Sequence, residues 1–219
     1  MSGPLRLAIV ISGRGSNMRA LVDACRAEAF PAEVGVVISN RADAAGLAAA
    51  RAAGVPVRVL DEATFEHREA FDAALDEAVA DAGASLVCLA GFMRLLGTPF
   101  VERWRDRLIN VHPSLLPAFR GLDTHARVLA AGARFSGCTV HFVRPAMDEG
   151  PIIVQAAVAV HTGDSPASLA RRVLAQEHRI YPLAVRWIAD GRVRVVDERV
   201  EIDGALSPDM ALVNPGPAR

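Results

Sequence analysis

Residues 6–17 read RLAIVISGRGSN: a short β-branched run, Arg6–Ser12, followed by a glycine-rich turn, Gly13-Arg14-Gly15-Ser16-Asn17. A buried strand that stops at glycine has this form. From Asn17 to Ala29 the period changes to that of a helix, with Met18, Leu21, Val22 and Cys25 on one face. The alternation then repeats, with Val34–Ser39 as a strand, Ala42–Ala53 as a helix closed by Gly54, and Val55–Leu60 as a third strand. The closing glycine suits a left-handed cap. Thr64 caps a long helix ending near Gly83, with Phe65, Phe71, Leu75 and Val79 inward, and Leu86–Ala90 is a fourth strand. This β-α-β-α-β-α-β order predicts a parallel sheet with helices on both faces and right-handed crossovers. The expected fold class is α/β: a single-domain, mostly parallel, doubly wound, Rossmann-like sheet. Ligands of such sheets sit beyond the carboxyl ends of the strands, where the strand order reverses.

Beyond residue 97 the pattern loosens. Leu108–Val111 reads as a strand running into His112-Pro113-Ser114, residues 113–123 as a loop, and Thr124–Ala131 as a short helix. Thr139–Val143 and Ile152–Val160 read as strands. Ser165-Pro166 starts a helix that runs to Ala189 with a bend expected near Pro182. Val193–Val196 and Arg199–Ile202 form a small hairpin. No repeat or linker divides the chain, so one domain is expected over 1–206, with 207–219 as a flexible tail carrying three prolines.

Composition narrows the function classes. A net charge of −1 over 219 residues recommends neither a nucleic acid nor an anionic membrane as partner. No apolar run reaches the roughly 20 residues of a membrane helix, and Met1–Leu5 carries no leader pattern, so the cytoplasm is the expected compartment. Cys25, Cys88 and Cys138 are odd in number and far apart, and read as small core residues. All 24 cationic side chains are arginine. That excludes Schiff-base chemistry on a protein amine and the lysine of a Walker A loop. The six histidines have neither H-x-x-x-H nor H-E-x-x-H spacing, so no metal site is expected.

The glycine loop departs from the dinucleotide fingerprint, since Met18 stands at the third glycine position and Ile38-Ser39-Asn40 lacks the acidic ribose ligand. What survives is a cradle for one phosphate made by Gly15, Ser16 and Asn17. The alternative is a plain strand-to-helix turn with Ser16 or Asn17 as N-cap. Further on, Asn110-x-His112-Pro113-Ser114 puts two polar side chains on one side of a strand end. Asparagine offers a neutral donor to a developing oxyanion, and histidine exchanges a proton near pH 7. A satisfied structural histidine is the competing reading. Asp148, in the turn Asp148-Glu149-Gly150-Pro151, is either an Asx-turn residue or a carboxylate that orients His112 and stabilises its protonated form.

SGRGSN at 12–17, LAGFMRLL at 89–96, INVHPSLLP at 109–117, TVHFV at 139–143, DEGPII at 148–153 and QEHRIYP at 176–182 together resemble the glycinamide ribonucleotide formyltransferase family. The likeness covers about residues 5–195. It implies that 10-formyltetrahydrofolate, as co-substrate and without metal, gives its formyl group to the amine of 5′-phosphoribosylglycinamide in purine biosynthesis. It also implies that Gly15, Ser16 and Asn17 hold the phosphate and Glu177 the ribose hydroxyls. Arg68, Met93, Arg94, Leu95, Leu96 and Asn110 would border the folate, and Asn110, His112 and Asp148 match the catalytic trio. The chain departs from many relatives at Ala118-Phe119-Arg120, where they carry lysine, tyrosine and proline, and at Asp123, where histidine is frequent.

The Asn-x-His-Pro-Ser motif belongs to the wider superfamily, so formyltetrahydrofolate deformylase, a hydrolase, is the alternative. That family usually carries an extra N-terminal regulatory domain and would not need a phosphate loop. Methionyl-tRNA formyltransferase would bring a second domain and a basic surplus. A non-catalytic nucleotide-binding module would show the same loop without turnover.

Overall fold

Five consecutive residues, Leu7–Ile11, are completely buried, because the strand that holds them, β1 (Leu5–Ile11), is covered on both faces. Leu7, Ile9 and Ile11 enter one core, and Ala8 and Val10 the other, as a strand's period of two requires. The structure, a computed structural model, describes residues 3–209 and 211–215. After β1 come α1 (Ser16–Cys25), β2 (Ala32–Ser39), α2 (Ala45–Ala52), β3 (Val57–Val59), a 3-10 turn (Glu62–Thr64) and α3 (Arg68–Asp81). The chain continues through β4 (Leu86–Leu89), α4 (Thr98–Arg103), β5 (Leu108–His112), α5 (Thr124–Ala130), β6 (Phe135–Phe142) and β7 (Ile152–Ala159). It ends with α6 (Pro166–Ala189) and a two-stranded hairpin, β8 (Val193–Val196) and β9 (Arg199–Ile202).

The seven-stranded sheet has the order β3-β2-β1-β4-β5-β6-β7. Strands β3 to β5 are parallel, and β6 and β7 run antiparallel. The strand order therefore reverses between β1 and β4. The core against α1 and α6 is the larger of the two, and the other lies under α3 and α4. None of the described helices is long and apolar enough to cross a membrane.

The sheet and its alternation are as expected, while several local features differ, among them an earlier end to α1, at Cys25, and a shorter β3, Val57–Val59. Thr64 closes the 3-10 turn instead of capping α3. The N-cap is His67, whose Nδ1 accepts from the Ala70 N–H at 3.1 Å, and Phe65 lies outside the helix with its ring edge-on to Phe71. The segment after residue 97 contains α4, which buries Phe100 and Val101. Strand β6 begins at Phe135 instead of Thr139, through Gly137, where a Cβ would stand 2.0 Å from the Ala156 carbonyl of β7. As expected, α6 runs to Ala189 with Pro182 inside it. The expected tail lies partly outside the described residues; Asn214, within them, donates through Nδ2 to the Val160 carbonyl at 3.0 Å.

Just before that proline, Tyr181 is fully buried, and its hydroxyl donates to Leu89 O at 2.9 Å and lies 3.3 Å from Ile109 O. Helix α6 is thus pinned to the last residue of β4 and to Ile109 of the neighbouring β5. A carbonyl left unpaired in this core costs about 1–3 kcal/mol. Tyr181→Phe is expected to lower the unfolding free energy by about that much in urea denaturation. A value indistinguishable from the parent protein contradicts the pinning role.

Candidate active site

The turn after β1 is built by glycine. Gly15, the N-cap of α1, has φ +68°, and a Cβ there would approach the backbone of Gly46 at 3.0 Å. Gly46 in turn donates its N–H to Gly13 O at 3.0 Å. Close approach of α2 to the loop is what both glycines permit. No side chain caps α1, so the plain turn with Ser16 or Asn17 as N-cap is not what forms. The first amide of α1 to find a helical acceptor is that of Arg19, on Gly15 O at 2.9 Å, and the amides before it face the cleft as a positive end. Asn17 is buried and uses Nδ2 to bind Glu177 Oε2 of α6 at 2.6 Å, while its Oδ1 has no protein partner. The cleft of about 340 Å³ beside the loop is bordered by Ser16 and Asn17 on one side and by Gly91 and Met93 on the other.

Ser12, which the sequence did not mark out, joins these two sides. Its N–H donates to Gly91 O at 3.2 Å, and its Oγ accepts from the Met93 N–H at 2.9 Å. Beyond this stitch the chain after β4 turns into a second, smaller pocket whose walls include Arg94, Leu95, Leu96, Asn110, His141 and Asp148. The Arg94 guanidinium is held there by Glu62 at 3.2 Å and over the Phe71 ring at 4.7 Å. Of the residues expected around a folate, Arg94, Leu95, Leu96 and Asn110 meet in this pocket. Met93 lines the cleft beside the glycine loop, and Arg68 opens on a different cavity, between α3 and α4, with Asp72 and Gly97.

Asn110 and His112 project from the same face of β5, as their spacing predicts. The His112 Nδ1 lies 3.3 Å from Asp148 Oδ1, with both side chains largely buried. Asp148 is not an Asx-turn residue. Its second oxygen accepts from the Gly121 N–H at 2.7 Å, in the loop between β5 and α5. Asp148 adopts φ +51°, and Gly150 behind it stands where a Cβ would meet Phe142 O at 2.1 Å, so the turn tolerates little else. The other ring nitrogen of His112, Nε2, is 3.1 Å from the Phe119 carbonyl. Both ring nitrogens therefore face oxygen atoms.

The loop between β5 and α5 is tied down from beneath. Thr139 Oγ1 donates to Ser114 O at 2.7 Å and accepts the Leu116 N–H at 3.1 Å, and Ser114 Oγ donates to Ala118 O at 2.6 Å. The residues that depart from the family pattern are accommodated locally. Arg120 pairs with Glu149, Phe119 lies beneath Arg127, and Asp123 takes φ +54° as the N-cap of α5. His141, part of the TVHFV stretch, stands opposite Asn110 in the β5–β6 register. Its pKa is lowered, first by burial and then by the charge of His112, against the Phe142 and Glu149 backbone and the Asp148 charge. Burial pushes the Cys25 and Cys138 thiols up to about 12 and raises Cys88 as well, so all three stay protonated, as core residues do. Among the described residues no cluster of three His, Cys, Asp or Glu side chains is arranged to hold a metal ion.

A family model described as formyl transferase matches residues 5–185. The chain belongs to the formyl transferase family. It is 43% identical over 204 residues to the phosphoribosylglycinamide formyltransferase of Escherichia coli (strain K12), covering 93% of this chain and 96% of that one. It is 47% identical over 190 residues to the trifunctional purine biosynthetic protein adenosine-3 of Bos taurus, of which it spans only 19%. The crystal structure of glycinamide ribonucleotide transformylase 1 from Symbiobacterium toebii superposes with a TM-score of 0.90 at 50% identity, over 92% of this chain and 95% of that one. The mostly parallel seven-stranded sheet is thus the formyl transferase fold.

In this formyl transferase, burial raises the Glu177 carboxyl above its ordinary 4.5, and the Asn17 amide opposes that only in part. An acid raised on folding contributes stability below its unfolded pKa that is lost as the pH rises through the folded one. Glu177→Gln keeps an acceptor for Asn17 and removes the charge. Its Tm is expected above the parent's at pH 8, with the gap closing toward pH 4. A Tm at or below the parent's at pH 8 contradicts a cost of charge burial at Glu177.

Proposed function

We propose that the chain transfers the formyl group of 10-formyltetrahydrofolate to the amine of 5′-phosphoribosylglycinamide, a step of purine biosynthesis, and that it does so in the cytoplasm. The observation that carries this reading is the His112–Asp148 contact, with Asp148 and Asn110 lining a pocket one stitch of backbone away from the glycine loop. The names of the E. coli and Symbiobacterium toebii relatives point the same way.

In this reading the amides of Gly15, Ser16 and Asn17 take the phosphate at the positive end of α1, and Glu177 takes the ribose hydroxyls. Leu95, Leu96 and the fixed Arg94 wall the pocket for the folate, and Met93 lies between the two reactants. The Asn110 amide and the His112 Nε2–H face the formyl oxygen, where negative charge develops as the neutral amine attacks. The Phe119 carbonyl, now the acceptor at Nε2, stands in for that oxygen. Asp148 holds the ring by Nδ1 and receives the proton released by the attacking amine, directly or through water. The new C–N bond forms as the C–N bond to the folate nitrogen breaks, and the proton ends on that nitrogen. Holding both reactants in one cleft supplies a large part of the acceleration by proximity.

Loss of one oxyanion donor typically costs about 3 kcal/mol of barrier. Asn110→Ala and Asp148→Ala are each expected to lose at least roughly a hundredfold in turnover. Near-parental turnover in either variant removes that residue's role. The reaction itself is tested by tetrahydrofolate formation with and without the ribonucleotide. Turnover that requires the ribonucleotide is expected, whereas turnover without it identifies a deformylase.

A further inference from the structure

Asn110 can act as an oxyanion donor only if its carboxamide nitrogen, and not its oxygen, faces the reacting group. A primary amide is nearly symmetric in shape, so a neighbour must choose between its two orientations. The loop residues around His112 do not make that choice. The polar contact of the Asn110 side chain is with His141.

The β5–β6 register sets His141 directly opposite Asn110, and the ring is 1% exposed. Its Nδ1 lies 2.9 Å from the carbonyl oxygen of Phe142. A carbonyl accepts and cannot donate, so Nδ1 carries the hydrogen. In the neutral ring Nε2 is then a bare lone pair. That lone pair points at Asn110 Nδ2 across 3.4 Å. The contact is long, so it adds little binding energy, but it decides the sign of the orientation. Flipping the amide would set its oxygen against the Nε2 lone pair, two acceptors face to face with no proton between them. With one N–H of Asn110 directed at His141, the other is left to the pocket beside His112.

We propose that His141 is a positioning residue: it fixes the Asn110 carboxamide with its free N–H toward the site of the developing oxyanion. This rests on the formyl-transfer reading of the same site. It gives a role to the buried histidine that shares one face of β6 with Thr139, the residue opposite His112.

His141→Leu removes the acceptor, and His141→Gln restores one, since the glutamine side-chain oxygen reaches about as far as Nε2. For His141→Leu, kcat is expected to fall on the order of tenfold, with the KM for the ribonucleotide changed less than about twofold. His141→Gln should recover most of the loss. In an Asn110→Ala background His141→Leu should change kcat by less than about twofold, because nothing remains to be oriented. Parental kcat in His141→Leu, no recovery with Gln, or a full further loss in the Asn110→Ala background each overturns the proposal. If the leucine variant does not fold, the same cycle is run with His141→Asn, whose shorter amide stops short of Asn110. A readout that does not depend on turnover is the ¹⁵N spectrum of the His141 ring in the parent protein near pH 7. The Nδ1–H tautomer is expected there, and the Nε2–H tautomer overturns the proposal. A parent protein without ribonucleotide-dependent turnover but with the Nδ1–H tautomer overturns the reading of the function and leaves the orientation of Asn110 standing.

Discussion

Two connections leave neighbouring strands in opposite directions. From β1 the chain passes into α1 on one face of the sheet, and from β4 it passes toward α4 on the other. Right-handed crossovers enforce this wherever the strand order reverses. The two loops cannot fill the gap between them, so a crevice opens at the carboxyl ends of β1 and β4. Everything polar in the site is arranged around it. Gly15, held at φ +68° against Gly46, aims the start of α1 into the gap, and Ser12 holds the far loop at hydrogen-bond distance. The crevice is a consequence of topology, and the glycines and Ser12 give it a fixed width.

The antiparallel strands extend the crevice in a way that a purely parallel sheet would not. Strand β6 returns beside β5 and brings His141 opposite Asn110 and Thr139 opposite His112. Thr139 ties down the loop after His112, and the turn that follows β6 folds back to bring Asp148 to the imidazole. One strand therefore supports both polar residues of β5, and the turn at its end supplies the carboxylate. The cost is a buried set of polar groups that must satisfy one another. The raised Glu177 and the lowered His141 mark where burial wins over hydrogen bonding.

Much of this was legible in the chain because the central strands are continuous apolar runs that stop at glycine or at a polar residue, as at Ile11, Ser39 and Leu89. The two-residue spacing of Asn110 and His112 placed them on one face without any knowledge of the partner strand. What escaped was short or distant. Helix α4 has six residues, too few to show a period, and His67 is not a residue type that announces an N-cap. The Asn17–Glu177 bond joins residues 160 apart, and no local pattern records that meeting. His141 was visible as a strand residue, but its pairing with Asn110 depends on the register of β5 against β6. Arg68, named by resemblance as a folate neighbour, lines a separate cavity with Gly97, between α3 and α4.

A crystal structure with glycinamide ribonucleotide and a non-transferable formylfolate analogue tests most directly whether one crevice holds both reactants. The phosphate is expected on the amides of Gly15, Ser16 and Asn17, and the formyl-equivalent oxygen within hydrogen-bond reach of Asn110 Nδ2 and His112 Nε2, in place of the Phe119 carbonyl. A phosphate bound away from the start of α1, or a formyl oxygen beyond reach of both side chains, contradicts the assignment of the crevice as the place of formyl transfer.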